Sequence, residues 1–339
     1  MTVHAIPLGT HAGVPVPGRH LGLTWSKGSE VTLEEFDVLA QRADRADTGR
    51  MPRSVHALRM AFLPPAPGEE PEGGPTLHVT LAGRSSDGTL IAMGTVRIAE
   101  EGGRRTAAVR ALVDPSWRGR GIGRALLAWQ DGVALHDLES HGGLPSSVGV
   151  PIAASMVDRR RLYTAAGFSA SLRLEVVRKA LQDREGAAGN APALPEGWIA
   201  RAPESADHAA IAALLGAIPD PHRFLMRALT LAEVARVADP ALSLVFEAEG
   251  TIRGAILAAP ACTHDGEDIA VVTGHAVAGG DASAAQGMLA AIESTLGSAG
   301  STALTLSLTP VLARQWAAPL AARGFRGIAS DPLYTIELP

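Results

Sequence analysis

Cysteine is almost absent from this chain, with Cys262 the single one among 339 residues. One cysteine excludes an intramolecular disulfide and a cysteine-based zinc site, and points to a reducing, cytoplasmic compartment. Cys262 stands next to Thr263 and His264. Sequence adjacency does not build a catalytic Cys–His pair, which is made in space, so a small buried or loop thiol is expected. Aromatics are also scarce, at 4% against 46% hydrophobic residues, so the cores must rest on Ala, Val and Leu. Excess positive charge is missing. A formal net charge of -5 supplies no basic face for a general nucleic-acid binder and no reason to expect an anionic membrane partner. No apolar run approaches the length of a bilayer span. The first residues, broken by Pro7, Pro15 and Pro17, carry no leader pattern of a basic segment before an apolar one. His4, His11 and His20 match no metal-ligand spacing, and residues 1–22 are expected as a flexible tail.

What is present suggests two domains, at about 100–200 residues each. Leu33 to Arg45 reads as a helix capped by Thr32, and Ser54 to Phe62 as a second one. After a Pro/Gly/Glu-rich loop, strands follow at His78–Gly83, Leu90–Ala99 and Thr106–Val113. Asp87-Gly88 and Gly102-Gly103 join them as hairpin turns, which makes an antiparallel meander. A long helix from about Gly121 to Glu139 has a stripe of Leu126, Leu127, Val133, Ala134 and Leu138. A strand at Ser147–Ile152, a helix at Asp158–Ala166 stopped by Gly167, and a strand at Leu172–Arg178 complete a domain of residues 23–181. Residues 182–197 read as a linker. Residues 198–339 then repeat the order: strands at 198–202, 242–249, 252–259, 269–277, 303–308 and 334–338, with helices at 206–217, 231–238, 282–296 and 311–323. Tyr163 to Phe168 matches Leu320 to Phe325 in position, each ending in Gly-Phe, so the chain reads as a tandem duplication.

The stretch from Val113 to Leu127 carries the chemistry. A strand ends, the chain turns through Asp-Pro-Ser-Trp, and Arg118-Gly119-Arg120-Gly121-Ile122-Gly123-Arg124 opens the long helix. Glycines let a ligand approach the backbone, and the first N–H groups of a helix have no internal partner. With the helix dipole and three arginines, that makes a site for a pyrophosphate. A dinucleotide fingerprint would need Gly where Arg124 stands, and a Walker loop would need Gly-Lys before Ser or Thr; neither is present.

The stretch resembles the signature of the GNAT N-acetyltransferase superfamily, Arg/Gln-x-x-Gly-x-Gly/Ala after a strand, here Arg118 to Gly123. The resemblance covers about residues 25–180 by motif and 198–339 by element order. It implies an α/β fold of the α+β type: two tandem GNAT-like domains, each a mixed, mainly antiparallel central sheet flanked by helices. It further implies acetyl-CoA as cosubstrate. Backbone N–H groups from Arg118, Gly119, Arg120, Gly121, Ile122, Gly123 and Arg124 would hold its pyrophosphate, and Leu112 and Val113 its pantetheine arm. Tyr163 would match the tyrosine that protonates or hydrogen-bonds the departing thiolate. Arg159, Arg160 and Arg161 would either reach the cofactor's 3′-phosphate or form a solvated basic face.

Three departures stand out. Met156 occupies a position where the family often has Asn, and Ala108 to Ala111 lacks the carboxylate that many members use as general base. Glu100, His56 and Asp47 are candidates for that base by element position only. In the second half, Gly279 to Gly287 has no arginine and carries Asp281, while Leu320 replaces Tyr163, so that half reads as degenerate and non-catalytic. The expected activity is transfer of an acetyl group from acetyl-CoA to an amine, with a small-molecule acceptor preferred. A peptide acceptor and a non-catalytic acyl-CoA sensor are the alternatives. A monomer is expected over a homodimer, because tandem halves reproduce a dimer within one chain.

Overall fold

The computed structural model describes residues 10–11, 13–47, 53–65, 73–181, 192–261 and 267–338. Cys262, His264, His4 and residues 182–191 of the expected linker lie outside them.

The first half runs β1 (Thr10–His11), β2 (Val14–Pro15), β3 (Thr24–Lys27), α1 (Leu33–Ala46), α2 (Val55–Phe62), β4 (Leu77–Arg84), β5 (Leu90–Glu101) and β6 (Arg104–Val113). It continues through α3 (Ile122–Ser140), β7 (Ser146–Pro151), α4 (Val157–Ala165) and β8 (Ser169–Ala180). The second half holds β9 (Trp198–Arg201), α5 (His208–Gly216), α6 (Arg223–Arg227), α7 (Leu231–Val237), β10 (Leu244–Ala248), β11 (Thr251–Pro260) and β12 (Ile269–Val277). It closes with α8 (Ala282–Ser298), β13 (Ala303–Leu308), α9 (Pro310–Ala322) and β14 (Arg326–Leu338). Local chemistry accounts for the helix starts. Thr32 and Glu35 close a capping box on α1, and Thr230 and Glu233 close another on α7.

Strands β3 to β14 form one sheet in the order β3-β4-β5-β6-β7-β14-β8-β13-β12-β11-β10-β9. Advancing each first-half strand by six gives its second-half counterpart, so the order is a palindrome about the β14–β8 pair. Only β6·β7 and β12·β13 are parallel, and α3 and α8 are the crossovers that parallel pairs require. The last strand of each half pairs with the other half: β8 lies beside β13, and β14 lies between β7 and β8. The two half-sheets are thus joined by exchanged strands.

Two cores result. One lies between α3 and the first half-sheet and takes Leu126, Val133, Val96, Val109, Val148 and, from β14, Tyr334. The other spans both halves, joining Phe36, Leu39 and Phe62 of α1 and α2 to Phe224, Phe246 and Trp316. Across it runs a buried ion pair from Arg97 on β5 to Glu233 on α7, with Arg97 also donating to the carbonyl of Ala228. Glu233 accepts the Thr230 N–H at 2.9 Å, so the same carboxylate caps α7 and anchors it to the other half.

The structure corrects several expectations. From Gly13 the expected tail packs on α3: Val14, Val16 and Leu21 join the first core, and a Cβ on Gly132 would come within 2.8 Å of Val14. The absent side chain at Gly132 makes the groove that the tail fills. β3 and α6 add to the expected elements; at four and five residues they carry too little periodicity to show in the sequence. β14 begins eight residues earlier than expected, because the Gly327, Ser330, Asp331 and Pro332 stretch reads as a turn; two register shifts accommodate it. Among the described residues no helix is long and apolar enough to cross a membrane.

Candidate active site

β6 ends at Val113, and the buried Asp114 directs the turn that follows. Its carboxylate accepts the Ser116 N–H at 2.9 Å and the Ser116 hydroxyl at 2.6 Å, and pairs with Arg42 at 3.1 Å. Burial would raise its pKa, but the bonds from Ser116 and Arg42 outweigh it and hold the group below the usual range. Gly119 and Gly121 then take φ of +79° and +86°, the region that a side chain strains. Gly121 is the N-cap of α3 and provides no side-chain bond, so the leading N–H groups of the helix stay open. Arg118, Arg120 and Arg124 stand exposed around this turn. Arg118 pairs with Asp47 at 2.6 Å, and Arg120 lies 4.6 Å from the centre of the Trp117 ring. All the expected pyrophosphate residues, 118 to 124, are therefore in one turn at the start of α3.

The counterpart in the second half is closed. At the start of α8, Asp281 accepts the N–H groups of Ser283 at 2.8 Å and Ala284 at 3.1 Å. A fixed carboxylate fills the place where the first half leaves its helix end open. Leu320, the counterpart of Tyr163, is buried in the shared core.

β6 and β7 pair only from Arg105 to Ala108 and then diverge. Beyond that point β6 keeps β5 on one side, Leu112 opposite Met93 and Val113 opposite Ala92, and has no strand on the other. Ala111 of β6, with Val150 and Pro151 of β7, faces a cavity of about 190 Å³ between the halves. Tyr163 lines it too, its buried ring edge-on to Phe168 at 5.1 Å. Burial pushes the Tyr163 phenol above its ordinary pKa, so it remains a proton donor near neutral pH. Among the described residues, Arg53, Arg110, Arg159, Arg227 and Asp331 are the charged groups of the lining, and Leu58, Phe62, Leu174 and Val176 are among its apolar walls.

None of the three candidate bases reaches this cavity. Glu100 pairs with Arg105, Asp47 with Arg118, and His56 is exposed on the outside of α2. Among the described residues of the lining the carboxylate is Asp331, on β14, which accepts the Ala154 N–H at 3.0 Å. On β6, where the resemblance leads one to look for a carboxylate, stands Arg110. Arg159 turns inward and donates to the Ala111 carbonyl at 3.4 Å, while Arg161 pairs at the surface with Asp158 at 3.7 Å. The inward turn of Arg159 divides the basic run between cavity and solvent.

Asp131 of α3 is a further group that no sequence pattern marks. Burial pushes its carboxyl up to about 6, and its Oδ1 has no hydrogen-bond partner. Ionised Asp131 opposes folding above about pH 6, whereas below about pH 4 the group is protonated in folded and unfolded chains alike. Asp131→Asn is expected to add about 2 kcal/mol of stability at pH 8, allowing for partial exposure, and nothing at pH 4. Urea midpoints at the two pH values check this.

A family model described as an acetyltransferase (GNAT) domain matches residues 79–170. No curated protein matches the chain in sequence. Among solved structures, a GCN5-related N-acetyltransferase from Sphaerobacter thermophilus aligns with a TM-score of 0.57 at 19% identity, over 95% of this chain and 96% of that one. A tandem GNAT protein from the clavulanic acid biosynthesis pathway aligns at 0.60 and 16%, over 93% and 98%. Saccharomyces cerevisiae N-myristoyltransferase, solved with myristoyl-CoA, aligns at 0.58 and 12%, over 93% and 78%. At such identities these likenesses speak for the fold.

Proposed function

Since residues 79–170 are a GNAT acetyltransferase domain set in a tandem GNAT fold, we propose that the protein is an acyl-CoA-dependent N-acyltransferase, with an acetyl group the expected cargo and a small-molecule amine the acceptor. One observation carries this reading. β6 runs past its last pair with β7 to the turn that opens α3, Leu162 of α4 lies against Gly123 at that opening, and the next residue, Tyr163, lines the cavity with Ala111 of β6.

The fit to coenzyme A rests on that geometry. The uncapped N–H groups between Arg118 and Arg124 suit a pyrophosphate, and the edge of β6 at Leu112 and Val113 suits an extended pantetheine arm. The thioester supplies an activated acyl carbon. The amine forms its N–C bond as the C–S bond breaks; Asp331 receives the proton the amine loses, and Tyr163 gives one to the departing sulfur. The cavity between the halves favours a small acceptor over a peptide. A single acyl-CoA per chain is expected, because Asp281 already caps α8.

The test couples binding to turnover. Acetyl-CoA at about 100 times its dissociation constant should stabilise the chain by about 2.7 kcal/mol, with one site by calorimetry. Thiol release with an amine panel reads turnover, and Tyr163→Phe should lower it about 100-fold while keeping the acetyl-CoA stabilisation. Stabilisation without thiol release from any amine would make the chain a sensor. No stabilisation at millimolar acetyl-CoA would end the acyltransferase reading.

A further inference from the structure

The cavity holds an imbalance of charge that the transfer reaction does not use. Among the described residues, four guanidinium groups, those of Arg53, Arg110, Arg159 and Arg227, line it beside one carboxylate, Asp331. Arg53 is paired with Asp44. Arg110, Arg159 and Arg227 form no ion pair with any described carboxylate. Arg110 spends its donors on the carbonyls of Leu225 at 2.5 Å and Met226 at 3.1 Å, and Arg159 makes its one long bond to Ala111. Arg227 has no hydrogen-bond partner among the described residues. Glu101 and Asp220 act on it only at longer range, and burial pushes its pKa down to about 10. Half-buried cations without counterions, set among apolar walls, are costly to a fold, and no described carboxylate pairs with these three.

We propose that the cavity binds a reactant carrying a carboxylate, which is seated on Arg227 and Arg159, and that this reactant is the amine acceptor. The inference rests on the acyltransferase reading and names the acceptor class: an amino acid or a similar amine with an acidic group. The cavity's charges are complementary to such a molecule. Its carboxylate meets the arginines, its amine meets Asp331, and its apolar body meets Leu58, Phe62, Leu174 and Val176. Arg227 comes from the second half, on the short helix α6, which gives that half a part in substrate choice although its own helix start is closed.

The experiment uses the full chain and reads binding apart from turnover. Thermal unfolding is followed with N-acetylated leucine, glycine and glutamate, then with the matching neutral amides, at equal ionic strength. The carboxylates are expected to raise the unfolding temperature and the amides are not. Arg227→Met should lose the carboxylate response, and Arg227→Lys should keep part of it. Unliganded Arg227→Met should unfold no earlier than wild type, because it removes a half-buried charge that no described carboxylate pairs; a structural arginine would give the opposite. In thiol-release assays with acetyl-CoA, leucine should exceed isoamylamine in kcat/KM by about 10- to 100-fold, mainly through KM, with the preference lost in Arg227→Met. A second arm replaces acetyl-CoA with succinyl-CoA and a neutral amine. An Arg227-dependent preference confined to that arm would place the carboxylate on the acyl group and overturn the acceptor assignment. Equal responses to acids and amides, or a preference that survives Arg227→Met, would overturn the proposal entirely. A carboxylate response without any acetyl-CoA response would instead leave the anion site standing and remove the acyltransferase reading.

Discussion

Arg97→Met is expected to destabilise the protein by about 3–5 kcal/mol. Both members of the Arg97–Glu233 pair are almost fully excluded from water. Removing the cation leaves Glu233 buried with only the Thr230 groups to solvate it, and also frees the Ala228 carbonyl. The double variant Arg97→Met, Glu233→Gln should recover most of the loss, since an amide keeps the α7 cap without carrying a charge. Chemical unfolding of the four proteins gives the coupling directly. A single-variant loss below about 1 kcal/mol would mean that water reaches the pair and that the halves are held by the shared core alone.

Gly121→Glu is expected to weaken acetyl-CoA binding at least 100-fold, about 2.7 kcal/mol or more, and so to abolish the thermal shift at ligand levels that saturate the wild type. Two effects act together. Glutamate is strained at a φ of +86°, which distorts the turn, and its carboxylate brings to α3 the kind of charge that Asp281 brings to α8. Gly121→Ala separates them, since it keeps the strain and adds no charge; a smaller loss is expected there. Wild-type affinity in Gly121→Glu would remove the start of α3 from the cofactor site.

The parts of this molecule legible in the sequence are those whose causes are local. The turn at Gly119 and Gly121 and the helix it opens are specified within seven residues, so the amino-acid order alone places both. The repeat of element order is visible because hydrophobic period survives when identity does not. Pairing between distant strands leaves no such mark. Nothing in Leu172 to Arg178 says that its neighbours are β13 and β14, and Asp331 sits in a Ser-Asp-Pro sequence whose composition suggests a turn. A base is not found by element position for that reason: the carboxylate in the cavity belongs to the other half of the chain. Arg110 escapes a reading by motif, because the motif asks its strand only for a carboxylate.

The exchange of β8 and β14 has a consequence for how the chain is made. β14 comes last in chain order, yet it takes the sixth place in a sheet of twelve. When the ribosome has delivered the first half, β7 and β8 both present open edges, and about 150 residues must still emerge before the strand that fits between them is available. At roughly 5–20 residues per second, that interval lasts on the order of ten seconds or more. Throughout it the half-made sheet exposes the kind of edge that invites pairing with a neighbouring nascent chain. Only the arrival of β14 closes that edge.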